Sequence, residues 1–77
     1  MMQTIYCVQT YRRQGRQVEA GQLRQFAEET AAVNAGNALA PRVAGVVVYA
    51  LTGEPEADFW DEPKLLFSHG ATPPLPA

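Results

Sequence analysis

The chain has 77 residues, 47% of them hydrophobic and 18% charged, with a net charge of −2 and one cysteine. That length makes one domain, and so small a net charge implies by itself no polyanionic partner. A lone cysteine excludes an intrachain disulfide, and small domains without one commonly gain stability from metal binding or self-association.

The opening Met1-Met2-Gln3-Thr4-Ile5-Tyr6 has neither a cationic segment nor an apolar core of the kind that marks a secretory leader. The longest apolar run falls far short of the roughly 20 residues that cross a bilayer. With a single thiol, the expectation is a cytoplasmic protein without membrane contact.

Thr4 to Tyr11 is rich in β-branched and aromatic residues and contains no Gly or Pro, so it predicts a strand. Alternation puts Ile5, Cys7, Gln9 and Tyr11 on one face and Thr4, Tyr6, Val8 and Thr10 on the other. Neither face is cleanly polar, which predicts burial of the first half and exposure towards Tyr11. Arg12 to Gln17 then reads as a polar turn, with Gly15 as the residue at positive φ.

Val18 to Ala40 admits two readings. One long helix would place Leu23, Phe26, Ala27, Thr30, Ala31, Asn34 and Ala38 at helical spacing. Alternatively, Val18 to Phe26 is a second, irregular strand and the helix starts near Glu28. Gly21 weakens a helix interior by about 1 kcal/mol relative to alanine. Glu28 and Glu29 suit a first turn, where the macrodipole favours anions. The second reading is therefore preferred. In both, an alanine-rich helix ends before Pro41, and Gly36 allows close approach to a sheet.

Ala44-Gly45-Val46-Val47-Val48-Tyr49-Ala50-Leu51 is the most informative stretch of the chain. It lacks alternating polar positions, so the strand predicted over Val43–Leu51 has little solvent on either face. Thr52-Gly53-Glu54-Pro55 predicts a turn. An acidic loop through Phe59-Trp60 leads to a last strand over Lys64–Ser68, ended by Gly70. These readings give an α+β fold in two layers, a single helix packed on a small, mainly antiparallel sheet in the order β-β-α-β-β. Residues 1–70 form the domain, and the proline-rich tail 71–77 is expected to be disordered. One helix covers only part of a four-stranded sheet, so an uncovered face must be polar or must meet another copy. Val46 to Tyr49 leave no polar face, which predicts a homodimer.

Charge is distributed unevenly. Residues 1–26 carry four arginines against one glutamate, whereas residues 27–77 carry Arg42 and Lys64 against seven acids. The acids from Glu54 to Glu62 resemble a divalent-cation loop only in charge, because Pro55 and Phe59-Trp60 stand where ligands belong. Within this loop Phe59 and Trp60 are candidate anchors for a protein partner, since Trp is prominent in interface hot spots. The alternative is that one or both rings fold back over the end of the core. Arg12, Arg13, Arg16 and Arg24, with Tyr11 and Tyr6 nearby, are candidates for nucleic-acid contact, cations to phosphates and rings under bases. No RNP-like, GXXG or helix-turn-helix pattern accompanies them.

Cys7 and His69 are the only soft ligand and the only imidazole. A strand cysteine is more often a small buried hydrophobe than a nucleophile, and one histidine cannot complete the usual zinc sets. No G-x-S-x-G, P-loop, Rossmann glycine run or C-x-x-C is present. The expectation is therefore no catalytic residue, no metal and no cofactor. Pro73 to Pro76 fits P-x-x-P, a pattern that a three-proline tail matches easily by chance.

From Ala40-Pro41-Arg42-Val43-Ala44-Gly45-Val46-Val47-Val48-Tyr49 through Gly53-Glu54-Pro55-Glu56, Leu65-Leu66 and His69-Gly70, the chain resembles a group of small bacterial proteins. They share an Ala-Gly-Val-Val strand and a Gly-acid-Pro turn. The resemblance covers about residues 28–74 and implies a self-contained domain whose helix starts near Glu28. It implies no activity or ligand. The functional expectation is a homodimeric protein-interaction or adaptor module, with nucleic-acid binding through the Arg12–Arg16 hairpin as the alternative.

Overall fold

The computed structural model describes residues 1–73, so Pro74 to Ala77, the end of the expected tail, lie outside the described residues. The elements in chain order are β1 (Gln3–Gln14), β2 (Gln17–Phe26), α1 (Glu29–Leu39), β3 (Gly45–Glu54), β4 (Phe59–Trp60) and β5 (Lys64–Gly70). The α+β architecture is as expected, one helix packed on a mainly antiparallel sheet, with a two-residue strand, β4, added before the last.

β1 lies between β2 and β3, antiparallel to both, while β4 and β5 pair in succession along the far edge of β3. β2 and β3 therefore run the same way, and α1 carries the chain over β1 between them. Gly15, at φ 62°, closes the β1–β2 hairpin as its sequence position predicted, but the turn is shorter than the expected Arg12 to Gln17, because Arg12, Arg13 and Gln14 pair with Glu19, Val18 and Gln17.

Of the two readings of Val18–Ala40, the strand followed by a helix is the one adopted. β2 ends at Phe26, and α1 starts at Glu29 behind an extended Glu28. Glu29 places a carboxylate in the first turn, where it meets the positive end of the helix. Pro41 has no backbone donor and sits in a short 3-10 turn over Ala40–Arg42 that ends the helix.

The predicted boundaries of the central strand need correction. β3 starts at Gly45 rather than Val43 and runs through Thr52-Gly53-Glu54, read above as a turn. Pairing explains the difference. Thr52 and Gly53 face Thr4 and Gln3 of β1, and Gly53 also faces Trp60. Flanking strands satisfy the backbone through Glu54, and the turn falls at Pro55–Ala57 with Asp58 left-handed at φ 52°.

Register decides which side chains share a face. Tyr6, Val8, Thr10, Val46, Val48, Phe26 and Phe67 stand in paired rows on the helix side. Val8, Val46, Val48 and Ala32 form the buried cluster there, with Phe26, Val33, Leu39, Val43, Leu66 and Phe67 packed around it. Gly36 sets the depth of the helix. A Cβ at that position would stand 2.5 Å from Val48 Cγ2 and 3.4 Å from Phe67 Cδ2. Ala32 and Gly36, one turn apart and both buried, thus bring the helix backbone down onto Val48.

Between Gln9 and Tyr11 the register with β2 shifts. The bulge is pinned by buried Thr10, whose Oγ1 accepts from Gln22 N at 2.8 Å. Gln9 Nε2 donates to Gln22 O at 3.1 Å and to Thr10 O at 3.0 Å.

Gly36→Ala pits a helix-propensity gain of about 1 kcal/mol against overpacking that typically costs 1–3 kcal/mol. The short distance to fully buried Val48 makes overpacking win. The variant should lose up to about 2 kcal/mol by urea unfolding, and a gain in midpoint would show that the helix does not rest on Val48.

Candidate functional site

The face of the sheet away from α1 has no second layer among the described residues. Strand alternation and register place there Ile5, Cys7, Gln9 and Tyr11 of β1, Leu23 and Gln25 of β2, Val47, Tyr49 and Leu51 of β3, and Leu65 of β5. None of these carries a charge. Cys7 and Val47 are each only 2% exposed, flanked by Tyr49 and Gln25 and by Gln9 and Ser68 in the rows. Leu23 and Leu65, towards the two edges of the stripe, are 52% and 53% exposed. Single exposed leucines are ordinary, but a contiguous uncharged stripe across four strands is not.

Trp60 extends the stripe at one end. It pairs with Gly53, whose absent side chain gives the indole its seat: a Cβ there would meet Trp60 Cε3 at 2.6 Å. Phe59 pairs with Glu54 in the next row and so projects to the helix side, where it remains 53% exposed. The two aromatics expected to act as a pair therefore serve opposite faces. Neither caps the helix–sheet core. At the other end, Ala71 and Thr72 lie over Gly45, and Ala71 N donates to Ala44 O at 2.9 Å.

The candidate basic residues are also divided. Arg12, Arg13 and Arg16 occupy the exposed tip of the β1–β2 hairpin, but Tyr11 and Arg13 face away from the helix and Arg12 faces with it. Arg12 pairs with Glu19 at 3.4 Å. Arg24 stands in the row of Val8 on the helix side, its guanidinium 5.3 Å from the Phe26 ring, well down the hairpin from the tip. Tyr6 is in the next helix-side row, not beside the tip arginines.

The acidic loop holds the opposite end of the molecule, whose longest dimension is 42 Å. There the Met1 amino group pairs with Glu54 and, at 3.7 Å, with Glu56. Asp58, Asp61 and Glu62 make no ion pair among the described residues. No three His, Cys, Asp or Glu side chains among them gather as a metal-binding group.

Cys7 and His69 are not brought together. Cys7 faces away from the helix, while His69 shares a row with Val46 on the helix side. Burial pushes the Cys7 thiol above its ordinary value, only partly opposed by the Tyr49 hydroxyl, its cross-strand neighbour. The thiol is thus held in its protonated, poorly nucleophilic form. Tyr49 is likewise raised, first by burial and then by Cys7.

A cavity of about 510 Å³ opens on the helix side beside the bulge, lined among others by Thr10, Arg12, Gln22, Leu39 and Arg42. Thr10 Oγ1 is bonded to Gln22 and Arg12 pairs with Glu19, whereas Arg13 and Arg42, also on its lining, make no ion pair among the described residues. No helix among the described residues is long and apolar enough to cross a membrane. Compared with known proteins, the chain matches no family model, no curated protein and no solved structure at a significant level.

Sequence reasoning missed Leu23, Leu65 and the separate destinations of Phe59 and Trp60. Gly53 was the available signal, because a glycine inside a strand often marks a close approach by another group.

Raised thiol and phenol values set a pH dependence. Unfolding releases the Cys7 proton at the ordinary 9.0, whereas the folded chain keeps it to higher pH. Its stabilising contribution is therefore complete below pH 9.0 and is lost as pH rises through the raised value. Tyr49 extends the loss above its ordinary 10.0. The melting temperature should fall from pH 9 upward, and Cys7→Ala should flatten the first part of that fall. An unchanged slope in the variant would remove Cys7 as the cause.

Proposed function

We propose that the chain is a homodimeric protein-interaction module whose self-contact is the helix-free face of the sheet. The observation that supports it is the uncharged stripe from Leu23 through Cys7 and Val47 to Leu65, with Trp60 at its end. Cys7 and Val47 are already covered by their neighbours, so the apolar surface that this contact removes from water, at about 25 cal/mol per Å², comes from Leu23, Leu65 and Trp60 around them. Four strands about 4.8 Å apart and a stripe about 30 Å long give a footprint of roughly 600 Å² per copy, an upper bound on the area removed from water. A total near 1,200 Å² lies at the lower edge of stable interfaces. Association in the micromolar range fits that size.

Such a dimer leaves Phe59 on its outer, helix side, beside Glu56 and Asp58. Two exposed phenylalanines flanked by acids suit an adaptor whose partner offers an apolar pocket rimmed by cations. The alternative, nucleic-acid binding, is favoured by Arg12, Arg13 and Arg16 sharing one exposed tip. It is weakened by the distance to Arg24 and by Tyr11 turning to the other face from Arg12. No catalytic role is proposed for any residue.

Sedimentation velocity from micromolar to millimolar concentration tests the reading. The wild type should shift from monomer to dimer, and Leu23→Glu and Leu65→Glu should each weaken association about tenfold or more, about 1.4 kcal/mol per decade. Both positions are half exposed in the monomer, so the fold should survive. A wild type that stays monomeric across the range would sink the proposal. Salt-sensitive retention of single-stranded RNA, abolished by reversing the three tip arginines, would favour the alternative.

A further inference from the structure

We propose that the two copies pair antiparallel, each basic hairpin tip seated against the acidic loop of its partner. This rests on the reading of the helix-free face as the self-contact and adds the orientation and what selects it.

The argument begins with the ends of the molecule. Arg12, Arg13 and Arg16 cluster at the tip of β1–β2, with one ion pair among the three, Arg12 to Glu19. Glu54, Glu56, Asp58, Asp61 and Glu62 cluster where Gln3 meets Gly53, at the other end of the strands. The last three have no ion-pair partner among the described residues. Between the ends, the helix-free stripe is uncharged. The molecule is therefore a bar with an uncharged side and opposite charges at its ends.

A two-fold axis that brings like faces together must lie in the plane between them, and each contact is then made twice. If that axis runs along the strands, tip meets tip and acid meets acid. If it runs across them, each tip meets the partner's acidic end. Like charges brought together across an interface are strongly disfavoured, so the axis across the strands is selected.

Register shows how the two charged ends come level under that axis. Val8 stands opposite Val48 near the centre of the β1–β3 ladder. Arg13 lies five residues beyond Val8 on β1, and Gln3 five residues before it. At about 3.3 Å per residue both are roughly 17 Å from the centre. Gln3 shares its row with Gly53, and Gly53 with Trp60. A two-fold at the level of Val8 thus lays the helix-free Arg13 of one copy over Gln3 of the other, in the row that Gly53 and Trp60 continue, with Trp60 two strands, about 10 Å, to the side. The guanidinium then lies at the end of the partner that carries Asp61 and Glu62, within the range of ionic attraction. The same axis overlays the apolar stripe on itself.

The consequence is an association driven by apolar area and oriented by charge. Its tightness should decline as salt screens the ends, because the Debye length shrinks to about 10 Å at 0.1 M ionic strength. An interface held by apolar contact alone would not weaken in that way.

Paramagnetic relaxation measures the orientation directly. Gln14→Cys carries a nitroxide at the tip, while Cys7, buried, stays unlabelled; wild type taken through the same labelling is the control. The spin-labelled, isotopically silent chain is mixed with ¹⁵N-labelled wild type. Broadening in the ¹⁵N chain is expected at Gly53 and Asp58–Glu62 and not at its own residues 12–17. Broadening at residues 12–17 instead would overturn the antiparallel arrangement and leave self-association standing. No broadening, with sedimentation showing monomer only, would remove the self-contact itself. A second arm reverses charge. The triple variant Arg12→Glu, Arg13→Glu, Arg16→Glu should dimerise at least about tenfold more weakly at low salt, the deficit closing at high salt. An unchanged dissociation constant would show that the charged ends do not orient the pair.

Discussion

The structure depends on the mismatch between one helix and one sheet. α1 has 11 residues and so is about 16 Å long, and it reaches one face only. β3 is apolar on both faces because Val46, Val47 and Val48 are consecutive and all buried. Val46 and Val48 go under the helix. Val47, with Cys7 beside it in the sheet, goes to the side without one. The self-contact proposed for that side follows from this excess of apolar strand over available helix.

Two glycines let the fold meet its close approaches. Gly36 lets the helix backbone settle on Val48, and Gly53 gives Trp60 a place on the sheet. Both sit in regular elements, where glycine costs conformational entropy. Each therefore marks a packing contact rather than a flexible joint. The first fixes the helix-side core. The second turns one aromatic of an adjacent pair towards the uncovered face and leaves Phe59 on the other side.

Among the described residues the groups that could carry chemistry are kept apart. The lone thiol is buried and protonated on one face, and the lone imidazole lies on the other. The cavity beside the bulge is bordered by Thr10, bonded to Gln22, and by Arg12, Arg13 and Arg42. What the molecule presents to its surroundings is area and charge, an apolar stripe with a basic end and an acidic end.

Much of this was legible in the chain. The hairpin with Gly15 at its turn, the break between strand and helix near Glu28, the stop before Pro41 and the two-sided burial of Val46 to Val48 are local matters. They follow from φ preferences, macrodipole charge and the lack of polar alternation, which act within a few residues. Alternation even assigned Cys7 and Val8 to opposite faces correctly. The extension of β3 through Glu54 was not legible, because Thr52-Gly53-Glu54-Pro55 is turn-like until β1 and β4 supply its hydrogen-bond partners. Nor was the split of Phe59 from Trp60, since a two-residue strand takes its facing from the strand it joins. The separation of the basic tip from the acidic loop likewise came only with the register, which stretches charges 40 residues apart to opposite ends of one sheet. Composition and spacing determined the elements and what each had to bury; strand pairing alone decided which side chains share a face, because no local preference can specify a neighbour distant in the chain.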